Sequence, residues 1–189
     1  MDKKTSLRVL IVGYGGGEIT FLNRLVKGLA DAGMQLTVTS PKRTTPLLLT
    51  HPYVHRLKTP PWEGSLLRRF INLIKLFILR FSFGRAKWLW EQVRSSDNFR
   101  EQLRLLTRYL PFARGTWDEI YFPWNSAAVG YRGLYKLGTP VVVSCRGSQV
   151  NIKPHMPGQE DYAAGLKWTL ENAAAVQCVS EDILGEAEK

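Results

Sequence analysis

The residues best suited to chemistry are three consecutive glycines and an acid, Gly15, Gly16, Gly17 and Glu18. They stand between the apolar run Val9 to Val12 and a segment carrying Ile19, Leu22, Leu25, Val26 and Leu29 at helical spacing. Glycines let the backbone turn sharply and come close to a ligand. A helix that starts there points bare N–H groups at the turn, a place that favours phosphate. The alternative is a tight strand-to-helix turn that binds nothing. A dinucleotide fingerprint beginning at Gly13 and Gly15 would need a third glycine where Glu18 stands. No carboxylate follows the second strand to hold a ribose, and Ser40 and Arg43 there leave an NADP reading open.

Further polar residues follow two later apolar runs. Asn125 and Ser126 come after Glu119 to Phe122, and suit either hydrogen bonds to sugar hydroxyls or the cap of a helix starting near Ala127. Arg146, Gly147 and Gln149 come after Pro140 to Cys145. The planar fork of Arg146 suits a phosphate or carboxylate, or pairing with a nearby acid. His155 lies in a loop, as an acceptor contact, a base, or an exposed side chain. No His, Cys or carboxylate cluster has the spacing of metal ligands, so no metal is expected.

The elements that would position these residues alternate. A strand at Val9 to Val12, a helix from Ile19 to Ala32 stopped by Gly33, and a strand from Leu36 to Ser40 form a βαβ unit. Leu47 to Leu49 read as a short helix and Val54 to Leu57 as a short strand, and Pro60 to Gly64 break the pattern. Residues 65–110 read as helical, with Gly84 as an interruption and one or two helices from Trp88 to Leu110. The alternation then returns: strand 119–122, helix 127–137 stopped by Gly138, strand 140–145, loop 146–158, helix 159–172, strand 175–179, and a last helix capped by Ser180. This order predicts an α/β, Rossmann-like three-layer domain with a parallel sheet and a helical insertion over about 62–115.

The chain has 189 residues, 44% apolar, with a formal charge of +10. Eleven of its basic residues fall between Ser65 and Arg114 against three acidic ones, Glu91, Asp97 and Glu101. Such a localised field calls for an anionic partner. One reading is an anionic membrane surface, with Trp88 and Trp90 at the boundary; the other is helices packed on the sheet with a solvated basic face. Nucleic acid is not expected, since the aromatics are spaced for burial and no known module is present. Phe70 to Leu79, interrupted by Asn72 and Lys75, is too short and too charged to span a bilayer. Cys145 and Cys178 read as small buried residues in a reduced, cytoplasmic setting, and the N-terminus leads straight into a strand without a secretory signal.

Three stretches together resemble the N-terminal half of the family 4 glycosyltransferases of GT-B fold. They are the first strand with Gly15-Gly16-Gly17-Glu18, the run Trp117 to Trp124, and the run Gly138 to Gln149 joined to Ala173 to Glu181. The departures are Pro123 and Trp124 where many members carry histidine, and Gln149 where many carry aspartate. The resemblance implies a single N-terminal domain over 1–189 and a C-terminal donor-binding domain outside this chain. The activity implied is retaining, metal-independent transfer of a sugar from a nucleotide-sugar to a glycan or lipid-linked acceptor, at the inner face of the membrane. There is no cofactor; the nucleotide-sugar is the donor substrate. Gly15, Gly16, Gly17 and Glu18 would meet the donor phosphates. Asn125, Ser126, Arg146, Gly147, Gln149 and His155 would line the acceptor side, with catalytic residues unassigned. Two other classes stay open: a non-catalytic module that binds a membrane or partner, and an NADP-binding reductase domain.

Overall fold

The computed structural model describes residues 6–14, 20–40, 50–59, 74, 77 and 83–188. The described residues begin with strand β1 (Arg8–Ile11), helix α1 (Thr20–Asp31), β2 (Gln35–Ser40) and β3 (Val54–Lys58). Two helices follow, α2 (Ala86–Val93) and α3 (Phe99–Tyr109). The remainder is β4 (Glu119–Phe122), α4 (Asn125–Gly130), β5 (Val141–Cys145), α5 (Ser148–Asn151), α6 (Glu160–Glu171), β6 (Ala175–Cys178) and α7 (Glu181–Ala187). All six strands are parallel, in the order β3-β2-β1-β4-β5-β6. The fold is α/β and Rossmann-like, with a parallel sheet between helical layers, as the alternation predicts.

Period-two alternation divides the core between the two faces. Val9 and Ile11 of β1 and Tyr121 of β4 meet Leu22, Val26 and Ala30 of α1. Leu10 and Val12, with Ile120 and Phe122, face the other way onto Trp88, Leu89, Tyr109, Leu110 and Phe112. Burial on both faces explains why these strands read as nearly continuous apolar runs. The described part of the basic segment therefore packs on the sheet. Trp88 is buried there and its Nε1 donates to the Gly133 carbonyl at 3.0 Å. Of the two readings of this segment, a membrane boundary or helices packed on the sheet, Trp88 follows the second, because its position on α2 faces the sheet.

Local signals account for most of the boundaries. Gly33 and Gly138 both end helical segments with positive φ, at 88° and 72°. Asn98 caps α3 by accepting from Arg100 N at 2.9 Å, so the stretch from Trp88 to Leu110 divides into two helices. Ser180 caps α7 through Ile183 N. The expected helix 127–137 is instead α4 followed by a 3-10 segment, Arg132–Leu137. The change of winding falls at Tyr131, whose N–H is shared between the carbonyls of Ala127 and Ala128. Gly133 then lies against the Tyr109 ring, where a Cβ would stand 2.7 Å from Cζ. The expected loop 146–158 holds α5 and a 3-10 turn, Lys153–His155. Cys145 and Cys178 are free thiols paired across β5 and β6; Cys145 is buried and Cys178 partly so. The expected helix at Leu47 to Leu49, the break at Pro60 to Gly64, and most of 65–82 lie outside the described residues.

At the amino end of the sheet, Arg8 and Asp118 tie β1 to β4. Arg8 donates to the carboxylate from its backbone N–H at 2.9 Å and from Nη2 at 2.8 Å. The Arg8 side chain, and then its backbone N–H, lower the Asp118 pKa from 3.8 to about 2. A carboxylate depressed by folding adds stability above its unfolded pKa and loses it as pH falls through the folded value. Asp118→Asn is therefore expected to lower stability at pH 7 and to flatten the loss of stability between about pH 4 and 2, as urea unfolding across that range would measure.

Candidate functional site

In a parallel sheet of this order the chain leaves β1 toward one edge and β4 toward the other. The loops at their carboxyl ends part, and such a switch point is where α/β proteins bind ligands. The Val12 N–H donates to the Tyr121 carbonyl at 3.0 Å, and the Gly13 N–H donates to Thr39 Oγ1 at 2.9 Å. Gly13 has φ of 87°, and a Cβ there would stand 2.8 Å from the Ala127 Cβ. Only glycine suits both the backbone angle and the contact. Tyr14 follows it, buried, with its hydroxyl hydrogen-bonded to Asn23 of α1. Gly15, Gly16, Gly17 and Glu18, expected to hold a donor phosphate, lie outside the described residues, as does Arg43 of the NADP reading.

The carboxyl ends of β4 and β5 bring five of the six expected acceptor residues together. Asn125 is fully buried. Its Nδ2 donates to the Gln149 carbonyl at 3.1 Å and lies 3.3 Å from the Tyr162 hydroxyl. That hydroxyl also donates to the Gln149 carbonyl, at 3.0 Å. Burial pushes the Tyr162 pKa up to about 12, so it stays a donor at neutral pH. The Gln149 Oε1 accepts from the backbone N–H of Ser126 at 3.2 Å. Asn125 and Ser126 are thus not caps by their own side chains: Trp124 occupies the cap position without a side-chain bond, and Gln149 reaches across to satisfy the helix end. The Gln149 that departs from the acidic residue of the resembled family has this identifiable work. Gly147 takes φ of 42° and ψ of −134°, turning the chain from β5 into α5.

Arg146 stands beside this network. Its guanidinium lies 4.2 Å from the Phe21 ring centroid and 5.9 Å from that of Trp124. Those rings meet edge to face at 5.4 Å. Trp124 and Phe21 thus form an aromatic seat for the cation. Trp124 stands out in the sequence only as a departure from the resembled pattern, and Phe21 carries no signal, because α1 meets β4 only in three dimensions. No described carboxylate forms an ion pair with Arg146, and its buried Nε and the buried Oδ1 of Asn125 have no hydrogen-bond partner among the described residues. Arg146 and Asn125 therefore retain a donor and an acceptor.

His155 does not join them. It is exposed and pairs with Glu186 of α7 at 3.2 Å, beside a separate hollow lined by Val150, Leu166 and Leu170. Its loop turns away with the 3-10 segment toward α7. Among the described residues no group of three His, Cys, Asp or Glu side chains is placed to hold a metal ion, and no helix is long and apolar enough to cross a membrane. The chain matches no protein-family model, and a comparison with curated proteins finds no match.

Gly13→Ala is expected to destabilise the fold by about 2–4 kcal/mol, from left-handed strain and overpacking against Ala127. The urea midpoint reads this directly; a variant as stable as the parent would contradict the close approach of β1 to α4.

Proposed function

We propose that this chain is the acceptor-binding half of a retaining, family 4 glycosyltransferase of GT-B fold, which moves a sugar from a nucleotide-sugar to a glycan or lipid-linked acceptor. The observation that carries the reading is Arg146: a cation seated on two rings at the sheet's switch point, with no described carboxylate to neutralise it. A planar fork held by aromatic rings suits an anionic group next to a flat sugar face. Asn125 supplies a buried acceptor for a hydroxyl, and Tyr162 and Gln149 hold it in place. Transfer on this reading needs the donor-binding half, which brings the nucleotide-sugar against the glycine loop.

The test is binding to this chain, followed by tryptophan fluorescence, of a polyprenyl-linked glycan, a nucleotide-sugar and NADPH. The glycan is expected to saturate, and Arg146→Ala to weaken it by about 10- to 100-fold, the value of a charge-assisted hydrogen bond. Arg146→Lys keeps the charge and loses the fork, so it recovers only part. Saturable NADPH binding with no response to either sugar ligand would replace this reading with the reductase, which the β3-β2-β1-β4-β5-β6 order also favours.

A lipid-linked acceptor fits a second surface. On α2 and α3, Trp90 is 60% and Phe99 74% exposed, and the Arg94 guanidinium lies 5.7 Å from the Trp90 ring centroid. Ile74 and Phe77 are exposed as well. Apolar tips rimmed by Arg and Lys suit the head-group boundary of an anionic bilayer. Sedimentation with phosphatidylglycerol vesicles is expected to pull the chain down, less so at high salt. Trp90→Ala with Phe99→Ala is expected to reduce the bound fraction several-fold; no pull-down by the anionic vesicles would remove the membrane from the proposal.

A further inference from the structure

A second hollow, of about 590 Å³, lies between the α2–α3 pair and the 3-10 segment after α4. It shares no lining residue with the switch-point site, and the reading above assigns it no role. Its size is that of a small-molecule site rather than of a single ion.

Its charge is one-sided. Arg108, Arg132 and Lys136 line it, and Glu101 is the one carboxylate among its lining residues. Glu101 is engaged by Arg104 at 3.3 Å, outside the cation group. Arg132 and Lys136 form no ion pair with any described carboxylate. Arg108 is held rather than loose: its Nη1 donates to the Gly130 carbonyl at 2.9 Å and its guanidinium lies 5.6 Å from the Tyr131 ring centroid. Three cations gathered around one half-enclosed space repel one another, and an anion bound among them relieves that repulsion.

The rest of the lining is neutral and hydrogen-bonding. Ser96 Oγ accepts from Asn98 N at 3.2 Å, which leaves its own hydrogen to donate. Gln92 is a buried amide at the wall, and Trp168 offers an aromatic surface. Cations at one side, with a hydroxyl, an amide and a ring at the other, match a phosphate carried on a polyol.

We infer that this hollow binds a phosphate monoester of a sugar or polyol, its phosphate held by Arg108, Arg132 and Lys136 and its hydroxyls by Ser96 and Gln92. Two carriers share that chemistry: a soluble sugar phosphate, and the phosphorylated-inositol head group of a lipid.

The experiment titrates the full chain with glucose 6-phosphate, glucose and inorganic phosphate by calorimetry, and separately with vesicles containing or lacking phosphatidylinositol 4-phosphate. Saturable binding of the sugar phosphate or of the phosphoinositide vesicles is expected, at least tenfold tighter than glucose or the control vesicles respectively; the responding arm names the carrier. Arg132→Ala with Lys136→Ala is expected to weaken it about 100-fold. Both side chains are exposed and form no ion pair with a described carboxylate, so that variant is expected to unfold close to the parent's temperature. Arg146→Ala is expected to change it by less than twofold. No binding in either arm, equal binding of glucose, insensitivity to the double variant, or loss in Arg146→Ala would overturn the assignment.

Discussion

The approach of Gly13 to Ala127 is the constraint on which the rest is built. β1 and β4 are neighbours in the sheet but send their helices to different sides. At the end of β1 the backbone must turn with φ of 87° and leave no side chain, because the first turn of α4 already occupies that space. With that contact made, Trp124 of the β4–α4 turn comes to lie against Phe21 of α1, and the pair forms the seat for Arg146. One close contact between backbone and Cβ thus sets the geometry of a charged site assembled from the start of α1 and the turns after β4 and β5.

The polar side of that site is organised by a single carbonyl. Gln149 O accepts from both Asn125 and Tyr162, while the Gln149 side chain accepts from the end of α4. A buried network of this kind is costly when half satisfied and orders its surroundings when complete. Here the Asn125 Oδ1 has no hydrogen-bond partner among the described residues, and neither has the Nε of Arg146. That leftover capacity is what supports the proposed binding role of this edge of the sheet.

The basic segment divides its work. The inner faces of α2 and α3 supply Trp88, Leu89 and Tyr109 to the core. The outer side carries exposed Trp90 and Phe99, and α3 also carries Arg108 to the second hollow, whose other cations, Arg132 and Lys136, come from the 3-10 segment after α4. Helical geometry sends residues three or four apart to one side and those between to another, so one run of sequence serves a core, a surface and a cavity wall.

Most of the architecture was legible from order alone. Apolar runs of four or five residues alternating with helical segments specify a parallel sheet, because each helical crossover returns the chain to the same end of the sheet. Gly33, Gly138 and Ser180 marked element ends through their own backbone preferences. The 3-10 winding after α4 was not legible, since it depends on Tyr109 and Trp88 packing against Gly133 from distant helices. Arg146, Asn125 and Gln149 could be picked out as candidates by position after a strand. Phe21 and the departure of His155 to α7 could not. The sequence by itself determined which residues are strands, which carry charge and which can turn. Only the tertiary structure decided which of them meet, because contacts between residues a hundred positions apart follow from sheet order and helix docking, neither of which any local pattern encodes.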